Sequence, residues 1–170
     1  MAHQATVETT TIPVEHVRVL TETSFLVVVE RLKAETGFFE LGEFQRRLAA
    51  GESPQSVTDA IAGLAGPSGF MRFLEADHGA ILRLQGQDVR SVRFLIGHSL
   101  IAARMTKHAI GSALYAPLSL LIASDGNRTR LEYDRPSTLF AQFRDADIAT
   151  VGRELDEKLD AVIQSIAGVR

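Results

Sequence analysis

Leu114-Tyr115-Ala116-Pro117-Leu118-Ser119-Leu120-Leu121-Ile122-Ala123-Ser124-Asp125-Gly126-Asn127-Arg128-Thr129-Arg130-Leu131-Glu132-Tyr133 holds two largely apolar runs around a polar break. Asp-Gly between apolar runs is the strongest short-range hairpin signal, because both residues tolerate the positive φ that a tight turn demands. The spacing predicts strands over Leu114–Ala123 and Thr129–Tyr133, with Pro136 ending the second. Beyond it, Asp145 or Asp147 caps a long helix. Ile148, Val151, Leu155, Leu159, Val162 and Ile166 recur every three or four residues and form one apolar stripe, and Gly168 closes the helix.

Toward the N-terminus, Ser91–Ile96 reads as a strand running into a helix from about His98 to His108. Phe70–Ala76 and Ala80–Leu84 read as strands joined by Asp77, His78 and Gly79. Ser53 followed by Pro54 starts a helix through Val57, Ile61 and Leu64, and Phe44 with Leu48 suggests a helical turn before it. His16–Thr21 alternates as a strand. Thr23 or Ser24 then caps a helix carrying Phe25, Val28, Val29 and Leu32, which Gly37 ends in the left-handed conformation. Residues 1–13 are polar and aperiodic, a flexible leader, and 14–170 form a single domain. The sum is an α+β fold, a mostly antiparallel sheet with helices packed on one face.

The length of 170 residues fits one domain with a real core. Cysteine is absent, which excludes disulfides, thiolate nucleophiles, Cys-ligated zinc and iron–sulfur clusters. Eighteen basic and 21 acidic residues leave a net charge of −3 with no basic stripe, so nucleic acid is not an expected partner. No apolar run reaches membrane-spanning length and no secretory signal is visible, so a cytoplasmic home is expected and a membrane partner is not. Gly63, Gly66 and Gly69 have the wrong spacing for a dinucleotide loop. Asn127-Arg128-Thr129 matches a glycosylation acceptor but suits turn chemistry better.

Three groups of residues invite chemistry. Gly97-His98-Ser99 follows a strand and opens a helix like a hydrolase nucleophile elbow, yet Ile101 stands where a small residue is needed, and only His108 follows, on the same helix. Ser99 is better read as a helix-start serine capping through its hydroxyl. His98, Ile101, Met105 and His108 share one helix face, where Met105 and His108 are close enough to share a soft metal or haem iron. The plainer reading, with Met105 filling core and the histidines at its edge, is preferred, and no metal or cofactor is expected. Tyr115 and Tyr133, the only tyrosines, fall on the two hairpin strands near Asp134, Arg135 and Ser137, where they line one end of a cavity or else stand as rim residues beside a surface Asp134–Arg135 pair.

Val92-Arg93-Phe94-Leu95-Ile96-Gly97, a helix ending near Met105, Leu114–Leu118 and Leu131-Glu132-Tyr133-Asp134-Arg135-Pro136-Ser137 together resemble the domain-of-unknown-function 302 family of bacteria. The likeness runs from Val92 to Ala167, is weaker over Val14–Gly37, and leaves Phe38–Pro67 unmatched. It implies a compact α+β domain, often a homodimer, without an established activity. Where many members read Ile-Gly-Asn-Pro this chain has His98-Ser99, and where many read Pro-Cys it has Pro117-Leu118. A shared function would therefore rest on shape and binding rather than on a thiol.

Three function classes remain: a binding module, an enzyme and an interaction protein. Paired carboxylates, a metal motif and a phosphate loop are all missing from the sequence, which weighs against an enzyme. The favoured expectation is a homodimeric module for a small apolar or amphipathic ligand, with His98, Met105, Tyr115, Tyr133 and Asp134 as its binding residues.

Overall fold

A computed structural model describes residues 5–124, 126 and 128–168. Residues 1–4 of the expected leader, Asp125 of the hairpin signal and Asn127 of the acceptor triplet lie outside the described residues. Six strands, β1 (His16–Thr21), β2 (Thr36–Phe38), β3 (Phe70–Asp77), β4 (Arg90–Gly97), β5 (Leu118–Ser124) and β6 (Thr129–Asp134), form one sheet in the order β1-β6-β5-β4-β3-β2. Every pairing is antiparallel except β2 with β3. The expected hairpin is present, Ser124 pairing with Thr129 and Leu120 with Tyr133.

Helices α1 (Phe25–Glu35) and α7 (Ala146–Ala167) cover one face of this sheet. Their apolar stripes meet Phe94, Ile96, Leu120, Ile122 and Leu131, all completely buried. All six residues of the stripe read on α7 are at most 4% exposed. Asp145, not Asp147, is the cap: its carboxylate accepts from the N–H groups of Asp147 and Ile148 at 2.9 Å. Gly168 ends α7 at φ 70°. The carbonyl of Ala167 accepts from the hydroxyls of Thr21 and Thr23 at 2.6 and 2.9 Å, so the β1–α1 loop satisfies the helix end. The N-cap position of α1 is Ser24, whose hydroxyl makes no capping bond.

Consecutive residues Phe70 and Met71 point to opposite sides of β3 and feed two clusters. Met71 joins Phe39, Val57 and Ile61, a small second core under α2 (Leu41–Ala49) and α3 (Pro54–Ala62). Ser53 caps α3 as the sequence indicates, accepting from Ser56 N–H at 3.2 Å.

Three local expectations are corrected, and a fourth is extended. Gly37 does not end α1: the helix stops at Glu35, and Gly37 sits inside β2 because the Leu64 carbonyl occupies the space a Cβ would need. Ala80–Leu84 is not a strand but helix α4 (Gly79–Leu84), started by the Asp77 carboxylate, which accepts from Ala80 N–H at 2.9 Å. Its alternation buries nothing, since Ile81 is 66% and Leu84 87% exposed. Leu114 and Tyr115 belong to a 3-10 turn, Ile110–Tyr115, and pairing starts only at Leu118, after Pro117, which has no N–H to give. Pro136 both ends β6 and opens the short helix α6 (Pro136–Phe140).

Candidate functional site

Helix α5 (Ser99–Thr106) leaves β4 at Gly97 and lies against α7. Between α5, the start of β5 and α7 lies an apolar cleft of about 250 Å³. Phe73, Gly97 and Pro117 form its floor; Ile101, Ala102 and Met105 from α5, Leu118 from β5 and Leu155 from α7 form its walls. Arg104 and Glu154 clamp the two helices beside the cleft through bonds of 2.6 and 3.0 Å.

The polar groups at the cleft are His98, Ser99 and Thr106. His98, rather than Ser99, caps α5: its Nδ1 accepts from Leu100 N–H at 3.2 Å. An imidazole whose Nδ1 accepts carries its proton on Nε2, so His98 presents a donor. Burial, and secondarily the charge of Lys158, lowers its pKa below the ordinary histidine value. The ring is therefore neutral at physiological pH. Ser99 is the first residue of α5 and His108 lies beyond its last turn, about 13 Å along the axis, so the two do not form a nucleophile and base.

Of the five residues expected to bind, the cleft brings together His98 and Met105 only. The Tyr133 hydroxyl donates to Asp160 at 2.8 Å, locking β6 to α7. Tyr115 packs edge-on against Phe140 and Phe143 at 6.4 and 6.3 Å between ring centres, and its hydroxyl reaches Gln142 at 3.5 Å. Asp134 lies on the sheet face opposite α1 and α7 and pairs with His16 at 2.8 Å, not with Arg135. Arg135 is held by Glu15 at 2.7 Å and Asp160 at 3.2 Å, and the Ser137 N–H donates to Asp156 at 2.9 Å. The tyrosines thus stand on structural bonds, because Tyr115 is not on a strand and Tyr133 faces the long helix.

Met105 and His108 do not share a pocket either. Met105 is fully buried, whereas His108 lies 3.6 Å from Asp145 and 3.5 Å from Asp147. Donor atoms of His108, Asp145 and Asp147 fall within 4.8 Å of one another, a set suited to a divalent cation, but one oxygen of Asp145 is already committed to capping α7. Leu118, Leu155 and Phe73 line the cleft without having been singled out as binders. In sequence each reads as an ordinary core residue.

The model of the family described as "Domain of unknown function DUF302" matches residues 45–166. The chain belongs to this family. For this DUF302 protein the match reaches back into α2 and α3, over residues that the resemblance had left unmatched. The fold is similar to the crystal structure of an uncharacterized conserved DUF302 protein from Bacillus stearothermophilus, with a TM-score of 0.61 and 15% identity over 89% of this chain and 97% of that one. No curated protein matches the chain. Among the described residues of this DUF302 protein, no helix is long and apolar enough to cross a membrane.

Proposed function

We propose that this DUF302 protein is a binding module for a small, largely apolar molecule held in the cleft between α5, β5 and α7. The observation that carries this reading is an apolar cleft of about 250 Å³ with one imidazole donor at its edge. Apolar walls with a few placed polar groups are the usual make-up of a ligand site. Ordinary pockets run from about 300 Å³ upward, so the occupant is small. Calorimetry with hexan-1-ol as the probe tests the reading. The wild-type protein binds it, and Ala102→Trp, which fills the cleft, loses the binding while melting cooperatively. Equal binding by both proteins would place the site elsewhere, and no binding by the wild type would remove it.

A second observation supports self-association. The sheet face opposite α1 and α7 exposes Leu20 at 55% and Leu74 at 43%, beside Arg18, Arg93 and Arg130 and the carboxylates of Glu132 and Asp134. Exposed leucines on a face whose charges are largely paired within the chain suit an isologous pair, in which the same apolar positions of both copies are buried. We propose a homodimer through this face. Light scattering across the micromolar range gives twice the chain mass, and Leu74→Glu returns a monomer. A wild-type monomer throughout that range would end the proposal.

A further inference from the structure

One neutral donor stands at the edge of the cleft, and one cation without a carboxylate partner among the described residues lies near that donor. With Nδ1 of His98 engaged by Leu100 N–H at 3.2 Å, Nε2–H has no acceptor among the described residues. Met71 pairs with Gly97, so His98 leaves the sheet beside Phe70. The Lys158 ammonium lies 5.5 Å from the centre of the Phe70 ring, close enough to His98 for its charge to act on the imidazole. Lys158 is one helical turn beyond Leu155 of the cleft wall, and it has no ion-pair partner among the described residues. Glu154, one turn before it, is engaged by Arg104 at 2.6 Å.

We infer that the cleft takes a small amphipathic acid, its apolar body against Ile101, Met105, Leu118 and Leu155 and its carboxylate accepting from His98 Nε2–H beside Lys158. This rests on the reading of the cleft as a ligand site and names the chemistry of the ligand's polar end. A carboxylate suits the corner because it accepts a directed bond from a neutral imidazole and pairs with the ammonium, while the charge-assisted bond is stronger where water is partly excluded. An amine finds only donors and like charge there, and an alcohol gains one bond without the charge.

The test is calorimetry at neutral pH with hexanoate, hexan-1-ol and hexylamine, probes that share one tail. Hexanoate binds at least about tenfold tighter than hexan-1-ol, the gain of about one charge-assisted bond, and hexylamine weakest. His98→Asp keeps a capping acceptor for Leu100 but opposes an anion, and it loses hexanoate while keeping hexan-1-ol. Lys158→Met keeps the apolar stem and brings hexanoate to the level of the alcohol. Binding of all three probes with equal affinity would overturn the carboxylate inference and leave the apolar site standing. Binding of none would remove the site itself.

Discussion

The Tyr133 hydroxyl donates to the Asp160 carboxylate at 2.8 Å across 27 residues of sequence, and this bond ties strand β6 to the long helix α7. Asp160 also receives Arg135, which in turn holds Glu15 ahead of β1. Tyr133→Phe removes the donor and leaves shape unchanged. Asp160 is 39% exposed, so water partly replaces the lost bond, and the loss is about 1 kcal/mol in urea unfolding. Burial first, and the Asp160 carboxylate next, hold the phenolic proton well above the ordinary tyrosine range. The unfolded chain therefore ionises first, and stability falls as pH rises above about 10, less steeply in Tyr133→Phe.

The edge strand β1 is pH-sensitive. His16 bonds Asp134 at 2.8 Å and Glu132 at 3.2 Å, and these bonds raise its pKa above the ordinary 6.5. A raised histidine stabilises the fold below its unfolded pKa, and the benefit is lost as pH rises through the folded value. His16→Gln therefore lowers Tm at about pH 5.5 and changes it little at about pH 8.5. Arg18 also holds Glu132 at 3.2 Å, so β1 does not detach.

Gly37 and Gly66 pass each other too closely for side chains. A Cβ on Gly66 would stand 2.5 Å from the Gly37 nitrogen, and the neighbour is backbone, which cannot swing aside. Gly66→Ala costs about 2–3 kcal/mol, as overpacking does, while Gly63→Ala, whose Cβ meets nothing nearer than 3.5 Å, stays within about 0.5 kcal/mol. Chemical denaturation of both variants checks the contrast.

At the start of α7 the two aspartates do different work. Asp145→Ala removes the acceptor for two N–H groups and costs about 1 kcal/mol, whereas Asp147→Ala loses its favourable place near the helix N-terminus and an exposed contact with His108, a few tenths. Equal losses in thermal melts would contradict the assignment of the cap.

How far the sequence was legible follows from which interactions are local. The α7 stripe and the hairpin read correctly because helical period and turn chemistry lie within one stretch of chain. Ala80–Leu84 and Leu114–Tyr115 misread because short, exposed apolar residues such as Leu84 and Leu114 alternate without being buried. His98 and Met105 were legible as a pair because one helix carries both. Leu118 and Leu155 arrive from β5 and α7, a convergence that only tertiary packing makes. Tyr133 looked free to meet a ligand because its partner Asp160 is far away in sequence.

The cleft is the central claim, and methyl-resolved NMR during titration with hexanoate tests it most directly. Binding there shifts the methyl signals of Met105, Ile101, Leu118 and Leu155 together and saturably, with the exposed Leu20 and Leu74 on the sheet face opposite α1 and α7 unmoved. Shifts confined to Leu20 and Leu74, or none at saturating hexanoate, would contradict it.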